Sequence, residues 1–289
     1  MSLLGDWGYP VLDAGGYSRL LNEAGVFQDA LELLQVRLAQ DYLNVWALMP
    51  EDLDRQRTVQ FLTEALAELQ VEYGQDAAAI AAEFLNVQRQ GMELPVVLAD
   101  PAQAERVGGS VRWALTNSEA QSLLYGSMQR MALEPYRQTI RLSAFEAGNG
   151  YARVPEPGAC EFCLMLASRG AVYSSRVEAY EIGLANWSRD GVAKRKAREA
   201  KARAKGVKPD YGYHDKCKCN IIEVSPTNGL TEANIVLHDL WQKTFWGEDY
   251  LNNPKKQVDT VDFGSAFPIW KEVLADTDLP WMSGKQLTR

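Results

Sequence analysis

Lysine is missing from the first 193 residues of this 289-residue chain, cysteine is missing from the first 159, and histidine occurs only as His214 and His238. Each gap excludes something. Without cysteine, no disulfide can staple the first half of the chain, so that half must be held by its own apolar core. With two histidines and no H-E-x-x-H, the ligand pair of a helical zinc hydrolase is lacking. No apolar run approaches the roughly 18 residues that a membrane-spanning helix needs, so no contact with a membrane is expected. The N-terminal stretch Met1 to Asp6 has no basic region followed by an apolar one. No signal peptide is therefore expected, and the protein should be made and folded in cytoplasm, where disulfides are rare. Charge is uneven as well. Residues 1–100 carry 16 acidic and 5 basic side chains, a net of −11, against −8 for the whole chain.

What is present in the first half is helical periodicity. Residues 1–16, with Gly5, Gly8, Pro10, Gly15 and Gly16, read as an arm. Phe27, Leu31, Leu34, Leu38, Tyr42 and Val45 then fall three and four apart, which is one apolar face of a helix. Pro50 ends that run. Val59, Leu62, Leu66, Leu69 and Tyr73 form a second stripe that Gly74 should stop, and Ala77, Ile80, Phe84 and Val87 form a third that Gly91 and Pro95 should stop. A shorter helix is expected within 101–115. Thr116 and Glu119 have capping-box spacing for a further helix, which Pro135 should break or kink and Gly148 should close. These stripes read as the core of a bundle.

All four cysteines and His214 fall between residues 160 and 219. The pattern is Cys160-Glu-Phe-Cys163, then His214-Asp-Lys-Cys217-Lys-Cys219. Zinc prefers thiolate and imidazole, and a structural site closes all four positions with protein groups. C-x2-C supplies two sulfurs, and H-x2-C has the same spacing. Cys160, Cys163, His214 and Cys217 are the expected ligands. Cys219 is the substitute for one of the last two, because residues two apart in an extended segment share a face. Disulfides and uncoordinated thiols are the alternatives. Around the clusters, Phe162, Leu164, Met165 and Leu166 should start a short helix over the metal, Ala171 to Ser174 should form a short strand, and Asn220 to Val224 is a second β-rich run.

Between Arg189 and Lys208 there are nine basic residues against Asp190 and Glu199. Between Lys194, Arg195, Lys196, Arg198, Lys201, Arg203 and Lys205 the apolar residues are all alanine, so the segment has little to bury. It reads either as a solvated helical surface or as a sequence-independent contact to DNA phosphates. Beyond residue 225, a short helix is expected at 232–245. The rest of that tail, with Trp270 and Trp281, looks irregular and should pack on the chain's own body or on another subunit.

Gly158 to Gly170, then Tyr173, then Tyr213 to Cys219 and a short hydrophobic strand, together resemble the phage Mu F-like minor head (head morphogenesis) proteins. The Leu-Ala-Ser-Arg-Gly form is similar to versions from tailed phages of actinobacteria. The resemblance covers roughly residues 117–224. It implies a minor structural protein of the virion, inside the head near the portal vertex. Its partners would be the portal protein, the major capsid protein and packaged DNA, and its roles head assembly and DNA packaging or exit. The motif residues it carries over are Cys160, Cys163, His214, Cys217 and Cys219, with Zn2+ as a structural ion and no catalytic residue. The long basic insertion departs from the family pattern. Two enzyme readings stand beside it. A capsid maturation protease would need a base near its nucleophile, with Ser168 and His238 the residues to test. A zinc nuclease would need an open metal position, and the second cluster offers only Asp215.

The expected fold is α-rich (α+β). An arm (1–16) precedes a helical bundle (17–150). A small zinc-pinned α+β unit (151–225) follows, with the basic insertion 189–208, and then an irregular aromatic-rich extension (226–289).

Overall fold

The computed structural model describes residues 14–155, 159–168, 170, 220–225, 229–246, 263–277 and 279. The protein is mainly helical and divides into two compact units: residues 15–147, and the described residues from Gly148 onward.

The first unit is built from three long helices and one short one. They are α1 (Ala14–Ala47), α2 (Arg55–Gln88), α3 (Ala104–Ala114) and α4 (Ala120–Glu146). The apolar stripe of α1 is its inner face, with Leu31, Leu34, Leu38 and Tyr42 buried. α1 and α2 run antiparallel: Phe27 meets Phe84 edge-on at 5.4 Å, and the Tyr73 hydroxyl donates to Asp41 Oδ2 at 2.5 Å. Burial, and then that bond to Asp41, push the Tyr73 phenol well above its ordinary range. Tyr42 of α1 also reaches α4, donating to the Gln121 carbonyl at 2.7 Å. Tyr42, Leu62, Leu66, Val107, Val111, Leu124, Met128 and Met131 form one core in which all four helices take part.

α2 and α4 run parallel, so the chain between them must cross back along the unit. It does so as an extended strap lying over α4. The amide of Val97 donates to Ser143 Oγ at 2.8 Å, and that of Ala99 to Thr139 Oγ1 at 3.0 Å. The buried guanidinium of Arg89 donates to the carbonyls of Leu94, Pro95 and Ser143. Buried backbone groups outside helices need such partners, and two hydroxyls one turn apart on α4 supply them.

Four local expectations are corrected here. α1 begins at Ala14, so Gly15 and Gly16 are helical and do not belong to an arm. Gly74 does not stop a helix: α2 runs unbroken for 34 residues through both expected stripes. Of the break or kink expected at Pro135, the break does not occur, and α4 continues to Glu146. Thr116 and Glu119 form no capping box. Glu119 caps α4 without a side-chain bond, and the Thr116 hydroxyl and Asn117 amide turn back to the Trp113 carbonyl at the end of α3.

Gly74 and Pro135 explain each other. A Cβ on Gly74 would lie 2.9 Å from Pro101 Cβ and 3.3 Å from Pro135 Cγ. The glycine gives the strap and the proline room to approach the helix. Gly74→Ala should therefore destabilise the protein by about 1–3 kcal/mol through overpacking, although alanine is the better helix former by about 1 kcal/mol. Urea unfolding checks this, and a midpoint at or above the parent's would mean that the strap gives way freely. Gly148 does close α4 as expected, with φ +70° just past the helix.

The second unit contains β1 (Gly150–Val154), α5 (Glu161–Ala167), β2 (Asn220–Val224), α6 (Glu232–Trp246) and α7 (Phe263–Asp276). β1 and β2 pair antiparallel, from Gly150 opposite Val224 to Val154 opposite Asn220. Leu164, Met165 and Ala167 of α5 share a core with Leu237 and Trp241 of α6, Trp270 and Leu274 of α7, and Leu279. α7 was read as irregular. It is a helix that contains Pro268, and its Trp270 is fully buried. Trp241 packs on Phe245 at 4.3 Å and edge-on to Trp270 at 5.3 Å, so these tail aromatics pack on the chain's own body.

Candidate metal centre

The first cysteine pair occupies the start of α5. Cys160 is the N-cap residue, in extended conformation, and Cys163 lies in the first turn. Residues three apart are neighbours on a helix surface, so the C-x2-C spacing places both sulfurs at one end of one short helix. Cys163 is buried and Cys160 half-buried. The positive end of a helix also favours anionic ligands such as thiolates.

Seven residues do not make a stable helix alone, and α5 is held from both ends. At its start, Trp270 Nε1 donates to the Glu161 carbonyl at 3.2 Å, between the two cysteines. At its end, two side chains of α6 meet the last carbonyls. Asn234 Nδ2 donates to the Ala167 carbonyl at 2.9 Å and also to the Arg153 carbonyl of β1 at 2.7 Å. His238 Nδ1 is 3.0 Å from the Ser168 carbonyl. A carbonyl only accepts, so Nδ1 carries the proton, and Nε2 accepts from Gln242 Nε2 at 3.2 Å. Thr231 caps α6, accepting from the Asn234 amide at 3.3 Å, and its hydroxyl donates to Asn234 Oδ1 at 2.7 Å. α6 thus reaches β1 and α5 with one asparagine.

The sheet brings the flanks of the two cysteine clusters together. Asn220, the residue after Cys219 in sequence, lies opposite Val154, six residues before Cys160. The pair is anchored at its other end by Asn149, whose Nδ2 donates to the buried Glu223 carboxylate at 2.9 Å. His214, Cys217 and Cys219 lie outside the described residues. So do the strand expected at Ala171 to Ser174, and the whole basic segment with Lys194, Arg195, Lys196, Arg198, Lys201, Arg203 and Lys205. Among the described residues, no group of three or more His, Cys, Asp or Glu side chains is placed to hold a metal. Of the expected ligands, the described residues bring together Cys160 and Cys163 at the start of α5, where Trp270 bonds the carbonyl of Glu161 between them.

Ser168 and His238 are neighbours, but not as a nucleophile and its base. The Ser168 hydroxyl donates to the Met165 carbonyl at 2.7 Å, and the imidazole meets the Ser168 carbonyl, not its hydroxyl. Both residues are buried. Nothing in the sequence singles out Asn234 or the main-chain role of His238, because their partners Arg153, Ala167 and Ser168 lie 81, 67 and 70 residues away, and Gln242 matters only through its bond to His238 one turn before it.

The described elements define a helical protein with a short helical knuckle braced by a two-stranded sheet and two later helices. The chain belongs to the VG15 protein family, a phage-associated family whose model matches residues 22–244. That span includes both cysteine clusters and stops before α7. No curated protein and no solved structure matches the chain. Among the described residues, no helix is long and apolar enough to cross a membrane.

Proposed function

We propose that this protein is a minor structural component of a phage head, positioned near the portal vertex, whose second unit is closed by a structural zinc ion. Cys160 and Cys163 would supply two ligands, and two of His214, Cys217 and Cys219 the others. Zinc there would act as a cross-link, tying the first turn of α5 to the chain that leads into β2. The observation that carries this reading is the β1–β2 pairing, which sets the end of one cluster's lead-in opposite the start of the other cluster's exit. Membership of a phage-associated family supports the setting. The use of Ser168 and His238 as buried hydrogen-bonding groups favours a structural role over a proteolytic one.

The first unit is the proposed portal-facing part, because it contains most of the strongly acidic stretch 1–100, which carries 16 acidic and 5 basic side chains. Co-expression with the portal protein of the same phage is the test. The two should co-elute at low salt and separate as ionic strength rises, since surface charge is screened beyond roughly 10 Å at 0.1 M salt. Two folded partners that fail to co-elute at low salt would overturn the placement at the portal.

A further inference from the structure

α1 is apolar on two opposite sides. One side forms the core described above. On the other, Val26 and Val36 are 67 % and 66 % exposed, and Leu33 and Leu43 are 52 % and 50 % exposed. Single exposed apolar residues are ordinary on a protein surface. These four are not scattered. Their spacings of seven, three and seven are those of the a and d positions of a heptad. With Val26 as a, the seam runs Val26, Asp29, Leu33, Val36, Gln40, Leu43 and Ala47, and all seven are exposed. A helix with a core stripe and a second heptad seam has one more apolar face than its own unit uses.

The charges beside the seam indicate what covers it. Glu32 falls at g and Arg37 at the following e, and both are exposed. In a parallel two-stranded coiled coil, a g residue faces the e residue five positions later on the partner helix. Two copies of α1 side by side would therefore place each Glu32 against the other copy's Arg37, twice by symmetry. An antiparallel pair would set g against g and lose that match. Gln40 at a would face its own counterpart, the kind of polar pair that fixes register. Asp29 at d would face the other Asp29, a like-charge contact that keeps the association weak.

We propose that the outward seam of α1 binds a second copy of this chain, as a parallel helix pair about a two-fold axis. The contact spans about three heptads, roughly 33 Å of helix, and is the size of a weak, reversible interface rather than an obligate one.

Sedimentation equilibrium of the full chain, from about 1 to about 100 µM, tests it. The expected result is a concentration-dependent dimer. Leu33→Glu should weaken association at least about 100-fold by placing a charge in the seam. Asp29→Leu should strengthen it about 10-fold or more by removing the like-charge pair. Glu32→Arg and Arg37→Glu should each weaken it about 3- to 10-fold, and the double exchange should restore it. All these side chains are exposed, so circular dichroism should report an unchanged fold. A chain that stays monomeric throughout overturns the proposal, as does a dimer indifferent to Leu33→Glu. A seam that instead binds a different head protein while this chain stays monomeric overturns it too. A double exchange that fails to restore association overturns the parallel arrangement.

Discussion

Trp270→Ala should cost about 3–5 kcal/mol and loosen the whole second unit. The side chain is fully buried, packs edge-on to Trp241, and donates its indole N–H to the Glu161 carbonyl. Its loss leaves a large cavity among Leu164, Met165, Leu237 and Leu274 and leaves a carbonyl of the first turn of α5 without its donor. Trp270→Phe keeps most of the apolar volume and loses the hydrogen bond, so it should cost less, about 1–2 kcal/mol. Calorimetry of the full chain is the measurement. The alanine variant should lower only the transition of the second unit and leave that of residues 15–147 in place. If its melting profile overlays the parent's, α7 does not dock as described.

Cys163→Ser should abolish zinc binding and, with it, the ordered second unit. Apparent binding energies of structural zinc in small domains are about 10–16 kcal/mol, larger than any single packing contact in this unit. The parent, purified without chelator, should carry about one zinc per chain by elemental analysis. Cys160→Ser should behave like Cys163→Ser, and helicity from residues 15–147 should persist in both. His238→Ala serves as the control. Its ring already bonds the Ser168 carbonyl and Gln242, so zinc content should hold while stability falls. Near-zero metal in the parent, together with two mapped disulfides, would falsify the zinc assignment.

Periodicity was a sound guide where a residue's partner lies on the same element. The inner face of α1, the short helix around Phe162 to Leu166 and the helix from 232 were legible for that reason, and the strand 220–224 from its β-rich composition. Reading failed where the partner is remote. Gly74 and Pro135 look like breaks to any local rule, because glycine and proline are poor in isolated helices. In the folded unit they meet each other and Pro101, and tertiary packing decides. β1 was hidden in a turn-rich lead-in because its strand partner among the described residues begins at Asn220. α7 was hidden because Gly264 and Pro268 obscure the spacing of Trp270 and Leu274. For the metal centre, ligand types and spacing were plain in the sequence, while the bracing of α5 by Asn234, His238 and Trp270 was not. Those contacts join residues about 70 and 109 positions apart.

The bracing of α5 also sets an order in time. A chain leaves the ribosome from its N-terminus, so residues 15–147 emerge complete while the second unit is still being made. Cys160 and Cys163 emerge soon after, on a helix too short to hold itself. Every expected zinc ligand is out by residue 219, yet the indole that holds the first turn of α5 belongs to residue 270. At about 5–20 residues per second, that leaves the thiol pair waiting on the order of 5–20 s for its support. Until that interval ends, Leu164 and Met165 have only Leu237 and Trp241 of α6 to pack on, and Trp270 and Leu274 are still missing from their core. α7, the last helix among the described residues, thus supplies the bond that holds the first turn of α5, and a chain cut short before it would carry Cys160 and Cys163 without that support.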